Sequence, residues 1–153
     1  MKLSGALHID HNKMRTRAFS LGGQEFKVRV PLASEMEEIN NRVNAIDFSA
    51  KFAEMQKPLQ DKRNELESED ISFIDDDVIV DGKSIKDLSK MTVQTEQRIV
   101  EMVRLLVPAD EGFDMSNIEY SDINAEFPFA IQLQLMKKIM EVISPGYEEI
   151  RKN

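Results

Sequence analysis

From Arg15 to Val30 apolar and polar residues alternate, and the alternation breaks once, at Gly22-Gly23. A period of two is the mark of a strand with one buried face, and a Gly-Gly pair supplies the positive φ that a two-residue turn needs. The pattern predicts a β-hairpin. In its second strand Phe26, Val28 and Val30 share one face, while Lys27 and Arg29 share the other. Pro31 cannot donate to a ladder and closes the strand. The period then changes. Ser34 and Glu37 have the spacing of a capping box, and Met36, Ile39, Val43 and Ile46 recur at helical spacing. Asp47-Phe48-Ser49 reads as a break. A second helix is predicted from Ser49 to about Leu66, with Phe52, Met55, Leu59 and Leu66 as its apolar stripe and Pro58 set to kink or split it.

Glu65 to Gly82 has eight acids and no base, with "ISFI" and "VIV" between them and Asp81-Gly82 after the second. This predicts one or two short strands on an acidic excursion, with an Asp-Gly turn. Ser84 to Val107 returns to helical spacing, in one piece or divided around "SKMT". Leu88, Met91, Ile99, Met102, Val103 and Leu106 form its buried side, and Pro108 closes it. Ser121 is placed to cap a short helix through Phe127, and Pro128 to occupy the first turn of the last helix. There Ile131, Leu135, Ile139 and Val142 point inward, with Ile143 beside them, until Ser144-Pro145-Gly146 ends it. The fold class is α+β and mainly α-helical: an N-terminal hairpin, about four to five helices, and a short acidic β excursion. Residues 1–153 form a single domain, with 65–83 as the acidic insertion and 144–153 as a C-terminal tail.

Composition changes this picture in three ways. At 41% hydrophobic and 31% charged, the chain is globular. The absence of cysteine excludes disulfides, thiolate metal sites and cysteine nucleophiles. The net charge of −8 argues against a nucleic-acid-binding role, because a phosphate backbone needs a basic face. The first thirty residues are locally basic, through Lys2, Lys13, Arg15, Arg17, Lys27 and Arg29, but this reads as the solvated face of the hairpin. No apolar run approaches the roughly 20 residues that span a bilayer, and the N-terminus does not read as a signal peptide. The expected location is therefore the cytoplasm.

Little in the chain is arranged for chemistry. His8-Ile9-Asp10-His11 is the one cluster of imidazole and carboxylate, and its spacing at a terminus leaves nothing to preorganise a metal. Asp75-Asp76-Asp77 with Asp81-Gly82 hints at calcium. In an EF-hand register set by Gly82, however, Ile79 would stand third and Leu88 twelfth, and neither can coordinate. A solvated acidic loop is the favoured reading. No Gly-x-Ser-x-Gly elbow or phosphate loop is present. Catalysis is disfavoured by elimination, so the expectation is no catalytic residue, no metal and no cofactor.

Methionine points elsewhere. Of nine methionines, Met36, Met55, Met91, Met102, Met136 and Met140 fall on apolar helix faces. Methionine is unbranched and polarizable, so it suits either an irregular core or a surface that adapts to apolar partners. Met136 and Met140 lie four apart, offset from the inward stripe of the last helix, which makes that helix apolar on more than one side. Phe127, Phe129, Met136, Met140 and Ile143 are the candidate partner-binding residues.

The stretches "RAFSLGGQEFKVRVPLASEMEEI" and "EFPFAIQLQLMKKIMEVISPGYEEIRKN" resemble the tail assembly chaperones of long-tailed bacteriophages. The resemblance covers roughly a third of the chain and leaves Glu65–Lys83 without a counterpart. It implies a small, mainly helical, non-enzymatic protein in the cytoplasm of a bacterial host. Such proteins coat the tape measure protein before tail tube subunits polymerise around it. It also implies self-association, and a partner in a frameshifted, extended form of the same protein. Arg151-Lys152-Asn153 is compatible with codons that contain a slippery run. The rival readings are a structural or connector component of the virion, an enzyme using a carboxylate pair or a bound cation, and, more distantly, a nucleic-acid-binding regulator.

Overall fold

The structure, a computed structural model, describes residues 3–68 and 70–144. It is mainly α-helical, with two small antiparallel sheets. Contacts within the chain group it into two compact units, Met1–Asn40 with Arg98–Asn153, and Asn41–Gln97.

The first unit opens with two short helices, α1 (Leu3–Ala6) and α2 (His11–Arg15). Asp10 caps α2 by accepting from the amides of Asn12 and Lys13. The predicted hairpin follows as β1 (Thr16–Leu21) and β2 (Gln24–Arg29), in unbroken register from Thr16↔Arg29 to Leu21↔Gln24. Gly22 and Gly23 turn at φ 60° and 77°, a region open to glycine at little cost. Phe19 and Phe26 stack across the strands with centroids 5.3 Å apart. Val28 is fully buried.

The next helix, α3 (Ala33–Asn44), starts one residue before Ser34, so Ser34 is not its cap. Leu32 holds that position: its carbonyl accepts from Met36, and its amide donates to the Glu35 carboxylate at 3.2 Å. Glu35 is preferred over Glu37 because two arginines already hold it, Arg15 through Nη2 at 2.7 Å and Arg29 through Nη1 at 2.8 Å. Ile39 and Val43 are buried as predicted, while Ile46 lies past the helix end.

The helix α6 (Ile85–Val103) is continuous through "SKMT" and enters this unit at Arg98. Within the unit it buries Ile99, Val100, Met102 and Val103. It ends well before Pro108, because the chain turns to pair with the hairpin. Arg29 N–H donates to Leu105 at 2.8 Å, Val107 N–H donates to Lys27 at 2.8 Å, and Leu106 bridges Val28.

A 3-10 turn (Met115–Asn117) leads into α7 (Tyr120–Glu126) and α8 (Phe129–Ile143). Ser121 is not the cap of α7. Glu119 caps it in a reciprocal box with Asp122, a carboxylate doing at the N-terminus what a hydroxyl was expected to do. Pro128 stands just outside α8, at its N-cap. The core has two clusters. One gathers Val28, Ile39, Met102, Leu105, Ile139 and Ile143, and the other Ile99, Val100, Val103 and Ile123.

The second unit contains α4 (Ser49–Asp61), α5 (Arg63–Leu66), the sheet β3 (Ile71–Ile74), β4 (Asp77–Val80) and β5 (Lys83–Ser84), and the first part of α6. Helix α4 runs on through Pro58, and the interruption comes at Lys62. The acidic segment forms three strands in the order β3-β4-β5, turning at Asp75-Asp76 and Asp81-Gly82, with φ of 49° at Asp75 and 50° at Asp81. Asp tolerates this left-handed region better than most residues. Val78 and Ser89 are fully buried, but Met91, expected inside, is 62% exposed.

Candidate functional site

Helix α8 shows two apolar faces. Its inner stripe, Leu135, Ile139 and Ile143, is buried, with Ile131 and Val142 half-buried beside it. Gln132 continues that stripe and is fully buried, which hydrophobic spacing alone did not reveal. Its amide is matched group by group: Tyr120 Oη donates to Oε1 at 2.8 Å, and Nε2 donates to Asn124 Oδ1 at 3.0 Å and to the Phe127 carbonyl at 2.8 Å. A buried amide needs such partners, and here they tie α7 to α8. One signal was available in the sequence: Gln132 stands three and seven residues before Leu135 and Ile139, in step with the core.

The second face carries Leu133, Met136 and Met140, all half-buried. With Lys137, Glu141 and Ser144 they line an open groove of about 500 Å³. Met136 and Met140 pack against the first core cluster from the side, and Met136 also reaches the second. Of the candidate partner-binding residues, these two share the groove. Phe129 is 51% exposed at the start of the helix. Phe127 is half-buried against the second cluster, and Ile143 belongs to the first. The five residues therefore do not form one patch.

A second groove of about 770 Å³ lies in the same unit. Val103, Leu106, Ile118, Ile123 and Phe127 line it, along with Asp114, Asp122 and Glu126. Two of these carboxylates have structural work. Asp114 accepts from the amide and hydroxyl of Ser116 and from Asn117, and Asp122 accepts from the Glu119 amide. The hydroxyl and amide of Ser116 hold Asp114 below its usual carboxylate range.

Glu35, Asp76 and Asp77 also move down, each within a cap or an ion pair. Burial pushes Glu35 up. Hydrogen bonds from Arg29, the Leu32 amide and Arg15, with the charge of Arg29, outweigh it and bring Glu35 to about 2. The acidic run that hinted at calcium builds a helix start instead. Asp77 Oδ1 accepts from the Val78 amide at 2.7 Å and the Lys86 amide at 3.0 Å, and Oδ2 accepts from the Ser84 hydroxyl. Ser84 Oγ in turn accepts from the Asp87 amide at 3.1 Å and caps α6. Asp76 pairs with Lys86 Nζ. Among the described residues no group of three histidines or carboxylates is disposed to hold a metal ion, and no helix is long and apolar enough to cross a membrane.

Compared with known proteins, the chain matches no family model, no curated protein and no solved structure.

Proposed function

We propose that the protein is a tail assembly chaperone of a long-tailed bacteriophage. In this reading it is not an enzyme: it binds the tape measure protein in the host cytoplasm and keeps it soluble until tail tube subunits close around it. The observation that carries the reading is the second apolar face of α8. A helix that already buries one stripe in the core also presents Leu133, Met136 and Met140 along an open groove, and Phe129 is exposed at the start of the same helix. Flexible methionines accept apolar stripes of varied shape, which a long repetitive helical client would offer.

The mechanism is reversible burial. Apolar area removed from water contributes about 25 cal/mol per Å². Each contact is therefore modest, and many copies along one client chain supply the avidity. The net charge of −8 keeps the coated complex dispersed. The resemblance in the two quoted stretches supports the same reading, and extends it to a frameshifted, longer form as a further partner.

The test is a pull-down from cells that express the tape measure protein encoded beside this chain, joined to mass spectrometry of purified phage particles. The proposal expects capture in the cell extract and absence from the particle. Stoichiometric presence in the particle would instead identify a structural or connector component. A stoichiometric bound metal with hydrolytic or transfer activity would identify a cation-dependent enzyme.

A further inference from the structure

We propose that the groove formed by the end of α6, the 3-10 turn and α7 is a docking site for a short peptide of another protein, one whose apolar side chains are flanked by lysine or arginine. The site shares no lining residue with the α8 groove and does not depend on the tape measure reading.

The groove has a volume of about 770 Å³, room for a few side chains of a partner. Its floor is apolar: Val103 and Ile123 are buried, and Leu106, Ile118 and Phe127 are half-buried. Phe113 belongs to the lining yet is 53% exposed, so a large apolar ring faces water. The lining also holds three exposed carboxylates, Asp114, Asp122 and Glu126, and no base. An apolar centre with charge at its margin is the anatomy of a protein interface.

Charge selects the occupant. From Leu105 to Met136 the chain has six acids and no lysine, arginine or histidine. Arg104, the base just before, is used within the fold: Nε donates to the Ile118 carbonyl at 2.9 Å, and Nη1 lies 3.9 Å from Glu101. Among the described residues no ion pair neutralises Asp114, Asp122 or Glu126. Asp114 and Asp122 are fixed by the bonds that cap the 3-10 turn and α7, so their charges are in place before anything binds. Asp122 and Glu126 stand four apart on one face of α7, about 6 Å along its axis, and Asp114 comes from the turn before it. Charge spread over two elements does not converge on one ion, and among the described residues no three carboxylates are placed to hold a metal. A peptide with several bases can meet them together, and its apolar side chains fill the floor. The phosphates of nucleic acid and of anionic lipid would be repelled.

The experiment follows the backbone amides of the isotope-labelled full chain by NMR as the octapeptide KLFKKLLK is added. The comparison probes are ELFEELLE, equal in apolar content, and spermine, which offers charge alone. The basic peptide should shift the amides of Leu106 and of residues 113–127, and should bind more weakly in high salt. The acidic peptide and spermine should bind there at least tenfold more weakly. Glu126→Lys reverses one exposed charge and Phe113→Ser removes the exposed ring. Each should weaken the basic peptide at least fivefold with the circular dichroism spectrum unchanged. If Glu126→Lys fails to fold, Glu126→Gln and Phe113→Ser decide. Client capture is read at α8 and this titration at residues 113–127, so the two claims fail separately. The proposal is overturned by unmoved amides at residues 113–127, by shifts confined to Leu133, Met136 and Met140, or by equal binding of the acidic peptide or of spermine. Shifts at residues 113–127 on dilution of the chain alone would seat a second copy in the groove and overturn it too.

Discussion

The carboxylate of Glu35 accepts from Arg15, Arg29 and the amide of Leu32, and so joins the end of α2, the hairpin and the start of α3. Its pKa falls from an ordinary 4.5 to about 2, so the folded state favours the ionised form. The stability this gives is fully present above about pH 4.5 and is lost as pH falls toward 2. The urea midpoint of the wild type should drop across that window. Glu35→Gln should lower the midpoint at pH 7 and flatten the acid limb, and an equally steep limb in the variant would refute the assignment. Gln132 is the second such residue. Gln132→Leu withdraws a donor from Asn124 and from the Phe127 carbonyl and an acceptor from Tyr120, and should cost about 2–3 kcal/mol in chemical denaturation. Neither role was legible from residue type alone. The spacing from Ser34 points to Glu37, and the arginines that choose Glu35 come from other elements.

At the scale of elements, what was readable depended on whether the signal was local. The hairpin was fully legible, because alternation and Gly22-Gly23 specify it within sixteen residues. Most helices were legible from apolar spacing. Their ends were not, because tertiary pairing decided them: α6 stops at Val103 so that residues 105–107 can pair with β2, and Pro108 plays no part. The acidic run was legible as strands but not as a cap. Asp77 now reads as the residue that fixes the start of α6 against β4, its carboxylate raised in pKa by burial and lowered further by Ser84 and by the amides of Lys86 and Val78. Asp77→Ala should cost about 1–2 kcal/mol, comparable to the loss of a helix cap. Amide exchange should quicken at Val78 and Lys86 first, and uniform quickening across the chain would argue against a local cap.

At the scale of the molecule, the candidate surface was half legible. The sequence placed Met136 and Met140 off the core stripe of α8, and they do share an open groove. Ile143, which the helical spacing sets beside the inward stripe and which also stands among the partner-binding candidates, lies in the core, and Phe127 packs against the second cluster. The chaperone reading therefore rests on the groove and Phe129. Phe129→Glu alters an exposed side chain and should leave the thermal midpoint within about 2 °C while reducing client capture several-fold, since surface changes usually cost under about 0.5 kcal/mol. Met140→Glu should reduce capture further. Undiminished capture by both variants, each folded, would remove α8 from the binding surface.

The most direct measurement of the central claim is the soluble fraction of the tape measure protein with and without this chain, expressed together in the same cell. A chaperone role predicts that the tape measure protein is insoluble alone, and that in the presence of this chain it moves into the supernatant and co-purifies with it. A tape measure protein that stays in the pellet beside an abundant, soluble partner would rule out that role.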